Sequence, residues 1–341
     1  MTTMTLPAVQ PALDEARGAV SVEHCPLCSD GRSTVLHRLA DPSGKIPGTF
    51  ELKRCLGCEI VYVDPRPGDE ALAALYDDNF YFSTGWSYEM IAALVIETIQ
   101  ARRRRRVERH VRPGRLLDIG CGDGSFVHHM ARYGWDATGI DFSRSALEIA
   151  RRTRSGGRFL HGALEDHAFP AGRLDLVTFW QVLEHIAEPR PLLCRSHELL
   201  RRGGLLVAAV PNIEGLSSQL TGERWWGLDV PRHLVHYSPS TLRRSLEWAG
   251  FRVLRIRHRS LQYDPYALLH SSLDWVFTRR HFLSDLAKRH RVGGMKRPEY
   301  VYNIAALIAL APLLAPLSVV AATAGALLGR GGFIEIHARR D

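Results

Sequence analysis

Short apolar runs that end in glycine or an acid recur through the middle of the chain, and one much longer uncharged run lies near its end. Arg115-Leu-Leu-Asp-Ile119 has the apolar content of a buried parallel strand. Gly120, Gly122 and Gly124 follow at once, so the backbone can take positive φ and approach a ligand before a helix begins near Ser125. A second strand runs from Trp135 to Asp141, about 20 residues beyond the glycine turn, the separation that one β-turn-α-β unit needs. Upstream, residues 87–111 read as a long helix with Ile91, Leu94, Val95 and Ile99 on a helical period. The arginine run from Arg102 to Arg106 could grip phosphates, but is expected to be the helix's solvated, cationic end, complementing the macrodipole, and Pro113-Gly114 breaks it.

Downstream, Phe251 to Arg257 reads as a strand whose partner does not follow directly. The partner is expected at Gly332 to Arg339, leaving an insert over about 259–330. Within it, Ile304 to Gly329 carries no charged residue and is long enough for a membrane helix. Both ends of the insert return to one sheet, so both lie on the same side of any bilayer. Pro312 and Pro316 are expected to break the run into a hairpin of two short helices. Arg291, Lys296 and Arg297 before the run and Arg330 after it could rest on one anionic leaflet. The expectation is peripheral contact through 304–329 with the cytoplasmic membrane face. Packing on the core, a dimer interface and a roof over a pocket are the competing readings.

Candidate chemistry starts at Asp118, where strand meets turn. A carboxylate there would repel a pyrophosphate, and Ser125 stands where a dinucleotide site wants its third glycine. S-adenosylmethionine has no phosphate; its sulfonium and ammonium groups are attracted by such a carboxylate. Asp141 ends the second strand where it can accept both ribose hydroxyls. Leu117-Asp-Ile-Gly-Cys-Gly-Asp-Gly124 followed by Gly139-Ile-Asp-Phe-Ser143 is similar to the first two motifs of class I S-adenosylmethionine-dependent methyltransferases. Gly162-Ala-Leu-Glu-Asp-His-Ala-Phe-Pro170 resembles the third, with Glu165 and Asp166 beside the adenine. Leu174 to Ile186 resembles the fourth, whose exit lines the transfer pocket, and Gly203 to Pro211 the fifth strand. The resemblance implies a doubly wound, Rossmann-like α/β sheet of seven strands with an antiparallel last strand, built from 113–258 plus 331–341. It also implies a cofactor site of Asp118, Gly120, Gly122, Gly124, Asp141, Phe142, Glu165, Asp166 and Gln181.

Six cysteines in a chain read as cytoplasmic favour thiols or a metal over disulfides. Cys25-Pro-Leu-Cys28 and Cys55-Leu-Gly-Cys58 are two C-x-x-C knuckles that together complete a tetrahedral zinc site, with redox-active pairs as the lesser reading. With sulfur at all four positions no place is left for water, so the zinc is expected to be structural. Turn-rich sequence from Ser29 to Gly48 separates the knuckles, as in zinc ribbons. The module is bounded at 21–70, after a loose lead over 1–20 without a secretory pattern and before a helical lead-in over 71–112. Cys121 and Cys194 stand alone as packing residues.

A zinc module ahead of such a core occurs in metabolite-modifying and in ribosomal RNA-modifying relatives. Glu59 to Pro67 and Ala74 to Phe82 resemble the metabolite branch, in which Tyr76 and Tyr81 would stand at the mouth. The formal charge of +8 permits an anionic partner without choosing one. RNA base methylation at an amino group commonly uses an Asn/Asp-Pro-Pro-Tyr/Phe turn, and Trp180-Gln-Val-Leu-Glu-His185 replaces it here, which counts against nucleic acid. Trp225 to Ser238 resembles the loop that covers the acceptor, so His233 or His236 is expected to act as base or orienter, with His185 second. Ser238 caps a helix to Ala249. The chain thus reads as an enzyme that methylates a small-molecule or lipid-linked acceptor, O-methylation preferred. A nucleotide-sugar or secondary-metabolite C/N-methyltransferase is the alternative, and an RNA methyltransferase or non-catalytic RNA-binding scaffold the reading from another class.

Overall fold

Strands and helices alternate because short buried apolar runs are separated by capped amphipathic turns. The computed structural model describes residues 19–68, 70–72, 86–258, 263–287 and 295–341. Tyr76, Tyr81 and Arg291, and the side chain of Ile91, lie outside the described residues. In chain order, β1 (Ser33–Ala40), β2 (Thr49–Cys55) and β3 (Val61–Asp64) precede the helix α1 (Trp86–Val107). Then come β4 (Arg115–Ile119), α2 (Ser125–Arg132), β5 (Asp136–Asp141), α3 (Arg144–Thr153) and β6 (Arg158–His161). Next are β7 (Leu174–Trp180), α4 (Pro189–Leu199), β8 (Leu200–Pro211), α5 (Leu216–Thr221) and β9 (Val235–His236). The remaining elements are α6 (Pro239–Trp248), β10 (Phe251–Arg257), α7 (Asp264–Leu273), α8 (Phe282–Ala287), α9 (Arg297–Leu327) and β11 (Phe333–Arg340).

Seven strands form one sheet in the order β10-β11-β8-β7-β4-β5-β6. β11 runs antiparallel to both neighbours, and the pairs through β8, β7, β4, β5 and β6 are parallel. Both faces are covered, as a parallel sheet requires. Leu117, Val177 and Leu206 pack into the core on one side, while Leu116, Leu176, Leu205 and Val207 pack into that on the other, the period of two in each strand. From β4 the chain moves outward to β6, then crosses to β7 on the other flank, so the strand order switches beside β4. Open α/β sheets bind ligands at such a point. Ser143 caps α3, and Ser238 with Thr241 forms a capping box on α6.

The two knuckles belong to a smaller antiparallel sheet ordered β9-β3-β2-β1. The segment between them was expected to be turn-rich; instead β1 occupies eight of its residues, because pairing with β2 satisfies its backbone. β9 comes from the loop after β8, and Val63 N donates to Leu234 O at 3.0 Å, which fastens that loop to the cysteine module.

The arginine run is a solvated helix end only in part: Arg102 and Arg105 are exposed, Arg104 and Arg106 are half-buried and Arg103 is buried. Gln100, Arg103 and Val107 form the buried face of α1, whereas Leu94 and Val95 are exposed. Arg104 pairs with Glu108 at 2.6 Å and lies over the Tyr133 ring, and Arg106 forks Glu335 at 2.6 and 2.8 Å. α1 lies over the polar carboxyl edge of the sheet, which selects guanidinium groups rather than leucines for burial.

The insert also departs from expectation. α9 is a single helix of 31 residues that runs through Pro312 and Pro316. Both prolines are exposed, and the opposite face packs Ile304, Leu307, Leu310 and Leu314 against Leu273, Phe277 and Phe282, which holds the axis despite the lost backbone donors. Its far end is close-packed, since a Cβ on Gly325 would lie 3.2 Å from Leu216 Cβ.

Candidate functional site

The glycine turn leaves β4 at the switch point and opens a cavity of ≈1210 Å³. Gly120 has φ 72°, and a Cβ there would lie 2.4 Å from Val182, so the close approach of the turn to the end of β7 requires glycine. Asp118 is 2 % exposed and accepts from Thr178 Oγ1 at 2.6 Å. Burial pushes its carboxyl up to about 7, so a cation arriving beside it restores the charge that desolvation opposes. Asp141 accepts from the backbone N–H of Gly122 and of Ser143, both at 2.8 Å, one on each oxygen. A carboxylate keeps a further lone pair on each oxygen for a vicinal diol. Phe142, 70 % exposed, lines the cavity with Glu165 and Gln181, whose φ is 60°.

Asp166 is not in the wall. Its carboxylate turns back to accept from Ala163 N at 2.7 Å, closing the loop after β6, and Glu165 alone of the acidic pair faces the cavity. Arg103, absent from the sequence-derived site, enters the wall between Asp118 and Trp180, with its guanidinium 4.1 Å from the Trp180 ring centroid. Only its position on α1 reveals it, because the run offers several equivalent arginines.

Across the cavity, the turn after β7 and the loop between α5 and α6 bring Glu184, His185, Asp229, Arg232 and His233 together, joined by His281 from the insert. Ligand atoms of Glu184, His185 and His233 all lie within 4.8 Å of one another. His233 Nδ1 donates to Gly227 O at 2.9 Å and His185 Nδ1 to Arg232 O at 3.1 Å. In the neutral rings each Nε2 is then the lone-pair nitrogen. Burial keeps both neutral, lowering His185 to about 4 and His233 well below its ordinary value. Burial also pushes Glu184 up to about 8, and neither of its oxygens has a hydrogen-bond partner among the described residues. One carboxyl and two imidazoles in contact can take a proton from an acceptor hydroxyl or hold a divalent cation.

His236 stands apart from this group. It is 3 % exposed, donates from Nε2 to Leu228 O at 2.9 Å and lies behind His233, outside the cavity lining. Three residues beyond His233, at the end of β9, its side chain bonds back to the loop rather than entering the pocket. Asp229 and His281 were missed in the sequence. Asp229 sits inside the quoted loop, whereas no motif marks His281.

The four knuckle cysteines converge, all sulfurs lying within 4.8 Å of one another. Cys25 to Cys58 and Cys28 to Cys55 are each 3.5 Å apart. Tetrahedral zinc with Zn–S of about 2.3 Å puts its sulfurs about 3.8 Å apart, so the donor set and its spacing fit the ion. Gly57 N donates to Cys55 Sγ at 3.3 Å, the kind of contact that favours thiolate.

With this geometry in place, known proteins give the family. A methyltransferase domain family matches residues 91–256. The mitochondrial ubiquinone biosynthesis O-methyltransferase of Schizosaccharomyces pombe is 36% identical over 31% of this chain and 41% of its own length. The ubiquinone biosynthesis O-methyltransferase of Aromatoleum aromaticum is 31% identical over 46% of this chain and 71% of its own. A solved S-adenosylmethionine-dependent methyltransferase from Archaeoglobus fulgidus is similar over 78% of this chain and 99% of its own, at 20% identity and TM-score 0.45, and no residue role is carried over from it. The chain belongs to the S-adenosylmethionine-dependent methyltransferases. It spans less than half of the fission-yeast relative and about seven tenths of the bacterial one.

Replacing Asp118 with Asn is expected to weaken S-adenosylmethionine binding roughly 10- to 100-fold, the worth of a hydrogen bond to a charged group. For the native chain, affinity should decline as pH falls below about 7, where the buried Asp118 carboxyl takes up its proton. Titration calorimetry from pH 8 to 5.5 checks this. A D118N variant with native affinity, or with the same pH slope, contradicts the assignment.

Proposed function

We propose that this chain transfers a methyl group from S-adenosylmethionine to an oxygen of a small or lipid-linked acceptor. The observation that carries the reading is the two-sided cavity, with a cation-seeking carboxylate and glycine turn on one side and a buried proton-accepting cluster on the other. The cofactor, when bound, supplies an electrophilic methyl carbon, so positioning and removal of the acceptor proton are what remain for the protein. Asp118 and Arg103 suit the ammonium and carboxylate of its methionyl end, and Asp141 suits the ribose. His233 or His185 accepts the proton from an acceptor hydroxyl, with Glu184 beside them. His236 orients the loop from behind. The names of the relatives support oxygen as the acceptor atom; a nucleotide-sugar or secondary-metabolite carbon or nitrogen is the second reading.

Two further assignments accompany this one. The four cysteines hold structural zinc, and through the β3–β9 pairing the metal keeps the His233 loop in place. α9 lies flat on an apolar phase rather than crossing it. Leu313, Leu317 and Val320 are each more than 60 % exposed on one side, while Ile304, Leu307 and Leu314 pack against Leu273, Phe277 and Phe282.

Methyl-labelled S-adenosylmethionine supplied with the protein and a cell extract should place label in the organic or small-molecule fraction. Label confined to precipitated macromolecules would return RNA or protein as acceptor. Cys28→Ser should reduce zinc below one equivalent per chain and lower methyl transfer more than cofactor affinity; an unchanged metal content by mass spectrometry refutes the zinc assignment. The full chain should sediment with anionic vesicles and the triple variant L313E/L317E/V320E should not. Native protein left in the supernatant would make α9 a packing or dimer surface.

A further inference from the structure

A second cavity, of ≈560 Å³, adjoins the first. Ile99, Arg103, Trp180, Gln181 and Tyr263 line both, so they form the wall or passage between the two. The second cavity differs from the first in charge. Arg102, Arg103, Arg105 and Arg106 reach it from α1, Arg109 from the turn after α1 and Arg257 from the end of β10, against one carboxylate, Glu335. That carboxylate is already committed: Arg106 forks it and His337 contacts it at 2.8 Å, which holds it down at about 2 despite its burial. Among the described residues no carboxylate pairs with Arg102, Arg103, Arg105, Arg109 or Arg257 in an ion pair. Arg103 is 9 % exposed, and a hydrogen bond of 3.4 Å to Gln100 is its one side-chain bond among the described residues.

Arg102, Arg105 and Arg109 are exposed and screened by water, whereas Arg103 is buried and Arg106 and Arg257 are half-buried, so repulsion among the guanidinium groups is greatest among those three. A single carboxylate from the cofactor could engage Arg103, but it would leave the rest of the cluster uncompensated. Several forked donors around one small volume match an anion with more than one charge and several acceptor oxygens. The floor beneath them is apolar, formed by Ala209, Phe333 and Ile334, and Phe333 stacks on Tyr263 at 5.1 Å.

We propose that the arginine cavity binds a phosphate or diphosphate group carried by the methyl acceptor, while the rest of that acceptor reaches through the shared wall to the Glu184–His185–His233 cluster. The inference rests on the methyltransferase reading and narrows its substrate to phosphorylated small molecules. It also gives the arginine run a role that neither the macrodipole nor the cofactor supplies.

The test uses full-length protein with S-adenosylhomocysteine present or absent, and pyrophosphate and inorganic phosphate as probes in calorimetry. Pyrophosphate should bind saturably, more tightly than phosphate, with the cofactor product bound, and R105A/R257A should weaken it by about tenfold or more, the loss of two charge-assisted contacts. Neither residue lines the first cavity, so affinity for S-adenosylhomocysteine and the melting temperature should stay at native values in the same variant. R105K/R257K should recover part of the affinity, because charge returns without the fork. Absence of pyrophosphate binding, binding indifferent to the double variant, or full displacement of pyrophosphate by S-adenosylhomocysteine each overturns the proposal. Binding of phosphatidylglycerol vesicles through these arginines without binding of pyrophosphate also overturns it, in favour of a lipid surface. Failure of S-adenosylhomocysteine to bind at all would sink the methyltransferase reading instead, and the pyrophosphate result would still decide the anion site.

Discussion

β11 enters the sheet antiparallel between β8 and β10, and the placing of the whole C-terminal part depends on that pairing. The chain must leave after Arg257 and return to the same edge at Phe333. The two ends of the insert are in contact there, since a Cβ on Gly331 would lie 1.7 Å from the carbonyl oxygen of His258. Asn212, at the end of β8, donates to Gly331 O at 2.7 Å and closes the junction. This return sets Glu335 under Arg106, stacks Tyr263 on Phe333 at the rim of the arginine cavity, and packs α7 against α9.

Around this frame the charges are sorted by sign. Asp118 and Asp141 face the space suited to a cationic cofactor, and burial raises both carboxyl groups, so their charged forms are opposed in the direction that a cation relieves. Arg103 on α1 is uncomfortable in the opposite direction, because burial lowers its guanidinium. Arg103 and Trp180 stand on the boundary, with cation–π contact taking the place of an ion pair. Across the first cavity the imidazoles of His185 and His233 are kept neutral by burial.

Much of this was legible in advance, for reasons that are local. The β4 turn could be read because positive φ and close approach demand glycine, and the Ser238 cap because a serine oxygen meets the backbone three residues on. β10 and β11 could be paired across a long insert because each has the apolar content of a strand and no strand follows β10 directly. The cysteine knuckles could be matched because tetrahedral sulfur needs two close pairs. Asp166 could not be separated from Glu165 in this way, since both are acids on one short loop and only the course of the backbone turns one inward.

The sequence by itself determined the strands, turns, caps and the residue types able to do chemistry, because those follow from periodicity and φ requirements spanning a few residues. Tertiary structure alone decided which members of each set are used: His185 and His233 but not His236 in the pocket, Arg103 in the wall, and α9 continuous through two prolines. Each of those outcomes depends on burial and on distances between residues far apart in the chain. A local pattern can offer three histidines or five arginines, but only the packed sheet fixes which of them share a cavity.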